Sequence, residues 1–498
     1  PHTRGPNPPQ GTQTPRHVPS DGILSPGSQR RPARIRLLSR HVTDAVLDQS
    51  LRALTDEAGD AEKKTRHITV GSDIADAVAS WVSREHPRSS DLVICDEHTR
   101  SAAAESLAAR LQLAGRRANL LTLPAQEGED HVVCEDGIID ALVEMLREHP
   151  DANAIAVGSG TINDIVKMAT FKLERGYQSF ATAASMNGYT SAIAAVLSRG
   201  VKRTLPAQQP EAVFADIDVI SRAPAYLNRA GFGDLLSKPY SNADWLLSHY
   251  VRGVPYDTRP GKLLDDAYDA LLACATAVGE GEAVGIGTLT RTILLSGFTM
   301  AIAGTSAPAS GGEHLVSHYW DMEQHCRNEA LFGLHGTQVG IATRQSAMLF
   351  ERLVALETAD IDVEAAVARR GDASWLDGLA DHHPRLTPAV IEEVRAQITA
   401  KQKHGDAMRE ELTAVRNRWE EIRAGVKASL VPSERISTAL AEAGAADRPS
   451  AVKVDRDHAV HTQRVCRHIR SRYVALDLMD DLGKLDGWAA EVVDAVEA

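Results

Sequence analysis

The chain has 498 residues, 43% of them hydrophobic and 24% charged, with a formal net charge of −13, a composition that fits a soluble globular protein with two or three cores. That charge argues against nucleic acid or an anionic membrane as the main partner, and no run approaches the roughly 18 uninterrupted apolar residues of a membrane span. The five cysteines (Cys95, Cys134, Cys274, Cys326 and Cys466) are odd in number, widely spaced and without a CxxC pair, which fits reduced thiols in a cytoplasm better than a disulfide scaffold.

Residues 1–34, rich in Pro, Gly, Ser and Arg, cannot build a core and read as a disordered leader without the apolar segment of a secretory signal. Residues 35–64 read as helical, with apolar positions at Leu37, Val42, Val46, Leu51 and Leu54. "RHITVGSDI" (66–74) then reads as strand, glycine turn and helix start, and "DLVICDEHT" (91–99) as a buried strand ending in an acid. "SAAAESLAARLQLAG" (101–115) predicts a helix closed by Gly115, "RANLLTLP" (117–124) a strand, and "EDGIIDALVEMLREHP" (135–150) a helix stopped by Pro150. Residues 151–176 repeat the strand, glycine turn and helix.

Strands alternating with helices at this spacing predict a parallel, Rossmann-like sheet. From about 222 the β-branched runs vanish and long amphipathic patterns take over, as in 391–430. The expected organisation is a leader (1–34), an α/β domain (35–221) and an all-α domain (222–498), with the active site in the cleft between the last two.

"AIAVGSGTINDIVKMA" (154–169) is an apolar strand, then Gly158-Ser159-Gly160-Thr161, then a helix. Glycines let backbone approach a pyrophosphate, and a helix N-terminus offers N–H groups and a positive dipole end. It is not the full GxGxxG fingerprint, and an ordinary strand-to-helix turn looks the same. Asp96, at the end of its strand, could accept hydrogen bonds from an adenosine ribose or cap the helix that follows.

In "SGGEHLVSHYWDM" (310–322), His314 and His318 stand four apart, so on a helix they share a face. His335 lies between Gly333 and Gly336, and Asp234 reads as the start of an apolar helix after a glycine turn, where it could instead be an N-cap. Two histidines and one carboxylate leave coordination positions open, as a catalytic metal needs.

Five segments in order, "GSGTINDIVK", "SMNGYTS", "AGFGDLLSK", "ASGGEHLVSH" and "LHGTQVGIAT", resemble glycerol-1-phosphate dehydrogenases, particularly their bacterial branch. That family sits in the superfamily of iron-containing alcohol dehydrogenases, glycerol dehydrogenases and dehydroquinate synthases. The resemblance covers roughly 65–490, including the tail "IRSRYVALDLMDDLGKLDGW" (469–488). It implies that Gly158, Ser159, Gly160 and Thr161 hold an NAD(P) pyrophosphate with Asp164 nearby. Asp96 would take the adenosine ribose, which leans toward NAD. Thr182 and Ser185 would line the cofactor cleft, with Ser191 toward the nicotinamide. Asp234, His314 and His335 match the family's metal ligands, for zinc first, with nickel or iron as alternatives, and His318 matches a substrate contact.

The family usually carries aspartate in "SMDG", where it touches the polyol; here Asn187 replaces it, keeping an acceptor oxygen but losing the charge. The implied reaction is reduction of dihydroxyacetone phosphate to sn-glycerol 1-phosphate by NADH or NADPH, with His318 relaying the proton and Lys238 and Lys167 as candidate phosphate cations. The implied assembly is a homodimer. Two rivals share the scaffold: a reductase of another phosphorylated or phosphonate carbonyl compound, encouraged by Asn187, and an NAD- and zinc-dependent lyase or cyclase like dehydroquinate synthase.

Overall fold

The computed structural model describes residues 65–126, 131–198 and 201–498; the leader and the helix expected over 35–64 lie outside the described residues. Among the described residues there are eight strands: β1 (His67–Gly71), β2 (Ser90–Cys95), β3 (Ala118–Thr122), β4 (Ala152–Gly158), β5 (Tyr177–Ala181), β6 (Ile193–Ser198), β7 (Val201–Pro206) and β8 (Ala212–Asp216). Six form one sheet in the order β1-β8-β5-β4-β2-β3, every pairing parallel. β4, β5 and β8 are buried at every residue, so they read as unbroken apolar runs rather than alternating ones.

Alternation survives as a choice of face. In β4, Ala154 and Ala156 pack with α3 (Asp136–Arg147) and α4 (Gly160–Lys172), while Ile155 and Val157 pack with α1 (Ala75–Glu85) and α2 (Glu105–Leu113) on the other side. The chain leaves β2 toward the β3 edge, returns to β4, and then moves away toward β5. Strand order therefore reverses between β2 and β4, and the crevice outside their carboxyl ends is where such sheets bind ligands. Asp96 follows β2, and Gly158 ends β4 with Ser159-Gly160 directly after it, so the fold brings both sequence-predicted nucleotide segments to that crevice.

The elements expected from residue 66 to residue 176 are found within a few residues. The 101–115 helix departs in detail: it opens with a π-helical turn over Arg100–Ala104 before α2, and Gly115 follows at φ +81. Four strands carry no clear signal in the sequence. β5 and β8 span five residues each, and β6 with β7 makes a separate antiparallel hairpin whose second strand, VKRTLP, carries two charges and ends in proline.

After β8 every element is helical. Those that build the site are α5 (Ala225–Leu236), α6 (Lys238–Arg252), α7 (Ala283–Ala303), α8 (Gly312–Arg327) and α9 (His335–Val354). Among the described residues α7 alone is long and apolar enough to cross a membrane, but 78% of its apolar window is buried inside the protein. It is apolar all round because neighbours surround it. The 391–430 stretch resolves into α10 (Pro388–Lys401), α11 (Gly405–Asn417) and α12 (Trp419–Ala428). The helical core is continuous with the sheet: one cluster runs from Ala181, Val213 and Ala215 to Leu235, Ile293 and Trp320.

Candidate active site

The glycines of "NRAGFGDLLSKP" do not make a turn. Gly231 and Gly233 lie inside α5, and Asp234 stands in its last turns, not at its start. A Cβ on Gly233 would sit 2.7 Å from the Gly336 carbonyl oxygen and 3.2 Å from Gly340 Cα, while one on Gly231 would collide with the Ala184 carbonyl. The small residues let α5 touch the backbone of α9 and of the 182–187 loop. That contact is what sets Asp234 beside His335 and Asn187.

Around Asp234 the polar atoms converge. His314 Nε2 is 3.4 Å from Asp234 Oδ1, Asn187 Nδ2 donates to the same oxygen at 3.4 Å, and Lys238 Nζ donates to it at 2.9 Å. The His314 and His335 ring centroids are 5.3 Å apart, and His318 stacks on His335 at 5.4 Å with 22° between the planes. Asp234 Oδ2 is buried without a hydrogen-bond partner. Burial opposes ionisation of Asp234, but Lys238, His314 and His335 outweigh it and hold the carboxyl well below the usual range.

Two relays fix which imidazole nitrogens carry protons. His314 Nδ1 is 2.8 Å from Glu313 Oε1, an acceptor-only oxygen that also takes Ser241 Oγ and the Gly311 N–H. Burial raises the Glu313 pKa, but His314, Ser241 and Gly311 pull it down overall, so it stays anionic. His314 must then protonate Nδ1 and leave Nε2 as the basic nitrogen. In the second relay, Gln338 Nε2 donates to Asp321 Oδ1 at 3.1 Å, which turns Gln338 Oε1 toward Ser317 Oγ at 2.5 Å. Ser317 spends its one proton there and accepts from His335 Nδ1 at 2.7 Å, which makes Nε2 the basic nitrogen of His335 as well.

An orphaned carboxylate oxygen and two imidazoles held in the Nε2-basic tautomer suit a divalent cation of the zinc type, each histidine being backed by a further acceptor as metal ligands commonly are. Among the described residues no three His, Cys, Asp or Glu side chains are drawn into a finished coordination shell. Asp234 Oδ1 instead faces the Lys238 ammonium.

On the sheet side, the first helical bond of α4 runs from Asn163 N to Ser159 O at 3.0 Å. The N–H groups of Gly160, Thr161 and Ile162 precede it, and Ser159 caps none of them with its side chain. This is an anion cradle of the kind helix N-termini offer. A Cβ on Gly160 would lie 2.8 Å from Met186 Cγ, so glycine there keeps the loop close. Ser159, Gly160, Thr161, Asp164, Ser185 and Ser191 line one continuous cleft with Asn187, Asp234, His314, His318 and His335.

The structure places the remaining candidates differently. Asp96 caps the next turn, accepting from Thr99 N at 2.7 Å and Thr99 Oγ1 at 2.8 Å. Thr182 is buried and bonds Gly158 O through its backbone N–H. Asp164 accepts from Ala195 N at 2.9 Å and pairs with Lys167 at 3.2 Å, so it anchors the β6–β7 hairpin. Both lysine expectations need correction. Lys167 is fully buried, with its ammonium on Gly188 O, Ile193 O and Ser191 Oγ. Lys238 is spent on Asp234, Ser237 Oγ and Ala309 O. Neither lines the cleft. The cations that do are Arg470 and Arg472, in a tail segment whose "RSR" spacing was the available signal. Glu313, Ser317 and Gln338 escaped sequence reading because only the fold shows what each one touches.

The family model for iron-containing alcohol dehydrogenase matches residues 69–224. The fold is shared with solved oxidoreductases. Glycerol dehydrogenase from Schizosaccharomyces pombe superposes with a TM-score of 0.55 at 15% identity, over 87% of this chain and 92% of that one. Maleylacetate reductase from Rhizobium sp. strain MTP-10005 gives 0.51 at 16% identity, over 86% and 97%.

Relatives by sequence narrow the class. Glycerol-1-phosphate dehydrogenase [NAD(P)+] from Bacillus subtilis is 37% identical over 279 residues, 56% of this chain and 70% of that protein. The Geobacillus stearothermophilus protein of the same name is 29% identical over 399 residues, 78% and 86%. The chain belongs to the glycerol-1-phosphate dehydrogenase family.

Proposed function

We propose that this chain catalyses the metal-dependent, NAD(P)H-linked reduction of dihydroxyacetone phosphate to sn-glycerol 1-phosphate, and the reverse reaction. The observation that carries the reading is the convergence of Asp234, His314 and His335 in one cleft with a glycine-built anion cradle, both imidazoles presenting Nε2 as the base. Asp234, His314 and His335 would hold the cation, with zinc first for an N,N,O donor set and nickel or iron as alternatives. The cradle of Gly158-Ser159-Gly160-Thr161 would hold the cofactor pyrophosphate, with Asp96 toward the ribose. When bound, NAD(P)H supplies the hydride and the cation the Lewis acidity that polarises the carbonyl.

This chain's own residues do the rest. Asn187 and Asp234 orient the hydroxyl beside the carbonyl. His318, stacked on His335 in the cleft, delivers a proton to the carbonyl oxygen as it becomes an alcohol, a general-acid task that imidazoles commonly perform. The nucleotide role falls to 35–221 and the metal role to 222–498. A cytoplasmic homodimer completes the reading.

The test follows NADH absorbance with metal-reloaded protein and dihydroxyacetone phosphate. Oxidation that chelator abolishes, and that His335→Ala loses together with bound metal, is expected. Full activity of that variant would overturn the site. Asn187, an amide at Asp234 where the family usually has a carboxylate, favours a second reading, reduction of another phosphorylated or phosphonate carbonyl compound. Turnover of such a compound in preference to dihydroxyacetone phosphate would establish it.

A further inference from the structure

We propose that Arg470 and Arg472 form the subsite that holds the phosphate dianion of the substrate, and so set the enzyme's preference for phosphorylated over free carbonyl compounds. The inference rests on the reductase reading above and names the part of the cleft that recognises the anion.

After the helical turn Cys466–Ile469 the backbone is extended at Arg470, with φ −140 and ψ 144, and at Val474, with φ −133 and ψ 171. Between them the chain bends at Ser471 and Arg472. Arg470, Arg472 and Val474 all line the cleft. The intervening residues turn elsewhere: the Ser471 N–H bonds Gln397 Oε1 at 2.8 Å, and Tyr473 donates to Asp481 Oδ2 at 3.1 Å. Two guanidinium groups thus reach one cleft wall, one from before the bend and one from within it.

Among the described residues neither guanidinium has a carboxylate within ion-pair distance. The acids that act on Arg472 from farther away are Asp244 and Glu313. Asp244 is committed to the N–H groups of Gly312 and Ala475, and Glu313 to His314, Ser241 and Gly311. Glu393 acts on Arg470 but pairs with Arg203 at 3.7 Å. Burial, reinforced by Arg470, brings the Arg472 pKa down to about 10. Two cations that repel each other in a partly desolvated wall are costly unless an anion joins them. A dianion with several acceptor oxygens matches two planar donor forks.

Arg472 is also oriented for the task. It donates to Ser310 O and, at 2.8 Å, to Ser306 Oγ. These bonds leave roughly three of its five N–H donors for a ligand. Ser310 immediately precedes the glycine pair that opens α8, the helix of His314 and His318, so one short segment ties the anion wall to the metal centre. With Lys167 and Lys238 consumed by protein acceptors, these arginines are the cleft's cations.

The experiment measures kcat/KM for dihydroxyacetone phosphate and for dihydroxyacetone in wild type, Arg470→Gln and Arg472→Lys, with inorganic phosphate binding followed by calorimetry on the same proteins. The ratio of phosphorylated to free substrate is expected to fall at least tenfold in each variant, with phosphate affinity falling in parallel. Arg470→Gln carries the weight of the test, because Arg470 anchors no loop and its loss threatens folding least. An unchanged ratio, or an equal loss on both substrates, would overturn the subsite. So would a loss seen with NADPH but not NADH, which would assign the pair to the cofactor's ribose phosphate. If wild type reduces neither substrate, the reductase reading fails alone. Phosphate binding by wild type and not by Arg470→Gln would still uphold the subsite, and equal binding by both would end it.

Discussion

Ser317 shows how one hydroxyl can decide the chemistry of a neighbour. Its proton goes to Gln338 Oε1, whose orientation is fixed by the carboxylate of Asp321, and its lone pair takes the His335 Nδ1 proton. Ser317→Ala removes the acceptor without adding volume, and His335 can then protonate either nitrogen and rotate. Partners behind metal-binding histidines are worth roughly 10- to 100-fold in affinity. Ser317→Ala is therefore expected to weaken zinc by that factor in a chelator-competition titration while its melting temperature without metal stays near wild type. Unchanged affinity would show that packing alone orients His335. Asn187 is a different case: its amide donates to Asp234 Oδ1, which an aspartate could do only when protonated. The structure thus gives the departure at 187 a consequence, a neutral donor beside Asp234 in place of a second carboxylate.

At the scale of elements, the glycines of α5 and α9 teach the same lesson about reading sequence. "AGFG" before Asp234 reads as a turn because glycine so often marks one. Its actual work is to remove side chains where two helices touch, a need set by the partner helix and invisible along the chain. The histidine pair of α8, in contrast, was legible, since i and i+4 share a face whatever the tertiary context. The glycine loop after β4 was legible for a similar local reason. The β6–β7 hairpin was not, because distant side chains hold it: Asp164 accepts from the Ala195 N–H and Lys167 donates to the Ile193 carbonyl. The close approach is testable. Gly233→Ala forces a Cβ to within 2.7 Å of the Gly336 carbonyl, so α5 and α9 must part or strain. Overpacking of this kind costs about 1–3 kcal/mol, and it also moves Asp234 away from His335. Gly487→Ala, in the C-terminal helix with nothing within 4 Å of the new Cβ, should gain about 0.5–1 kcal/mol. Thermal melts of the two variants should therefore shift in opposite directions. A Gly233→Ala protein with wild-type stability and metal content would refute the role given to that contact.

For the molecule as a whole, one apolar cluster joins β5 and β8 to α7, and this dry packing of sheet against helices argues for coupled unfolding of the two layers. Buried polar arrays inside that body set how its stability responds to acid. Tyr319 Oη on α8 meets His383 Nδ1 at 3.0 Å, and His383 Nε2 meets His468 Nδ1 at 3.2 Å, joining three distant stretches of chain. Burial, then the neighbouring His461, His382 and Arg467, lower the His383 pKa from 6.5 to about 3, and burial with Arg467 and His383 places His468 well below its usual value. Both imidazoles are neutral in the fold at a pH where the unfolded chain binds protons. Stability is then fully present above pH 6.5 and declines as pH falls toward about 3, the folded-state value for His383. Between pH 6.5 and 5 the loss from one such group amounts to about 2 kcal/mol. His383→Gln keeps an amide able to bond Tyr319 or His468 but cannot titrate. Its melting temperature at pH 7 should fall, yet the further drop between pH 7 and pH 5 should be clearly smaller than in wild type. Equal drops in both proteins would mean that the array gains protons in the folded state, and that acid sensitivity arises from carboxylates elsewhere.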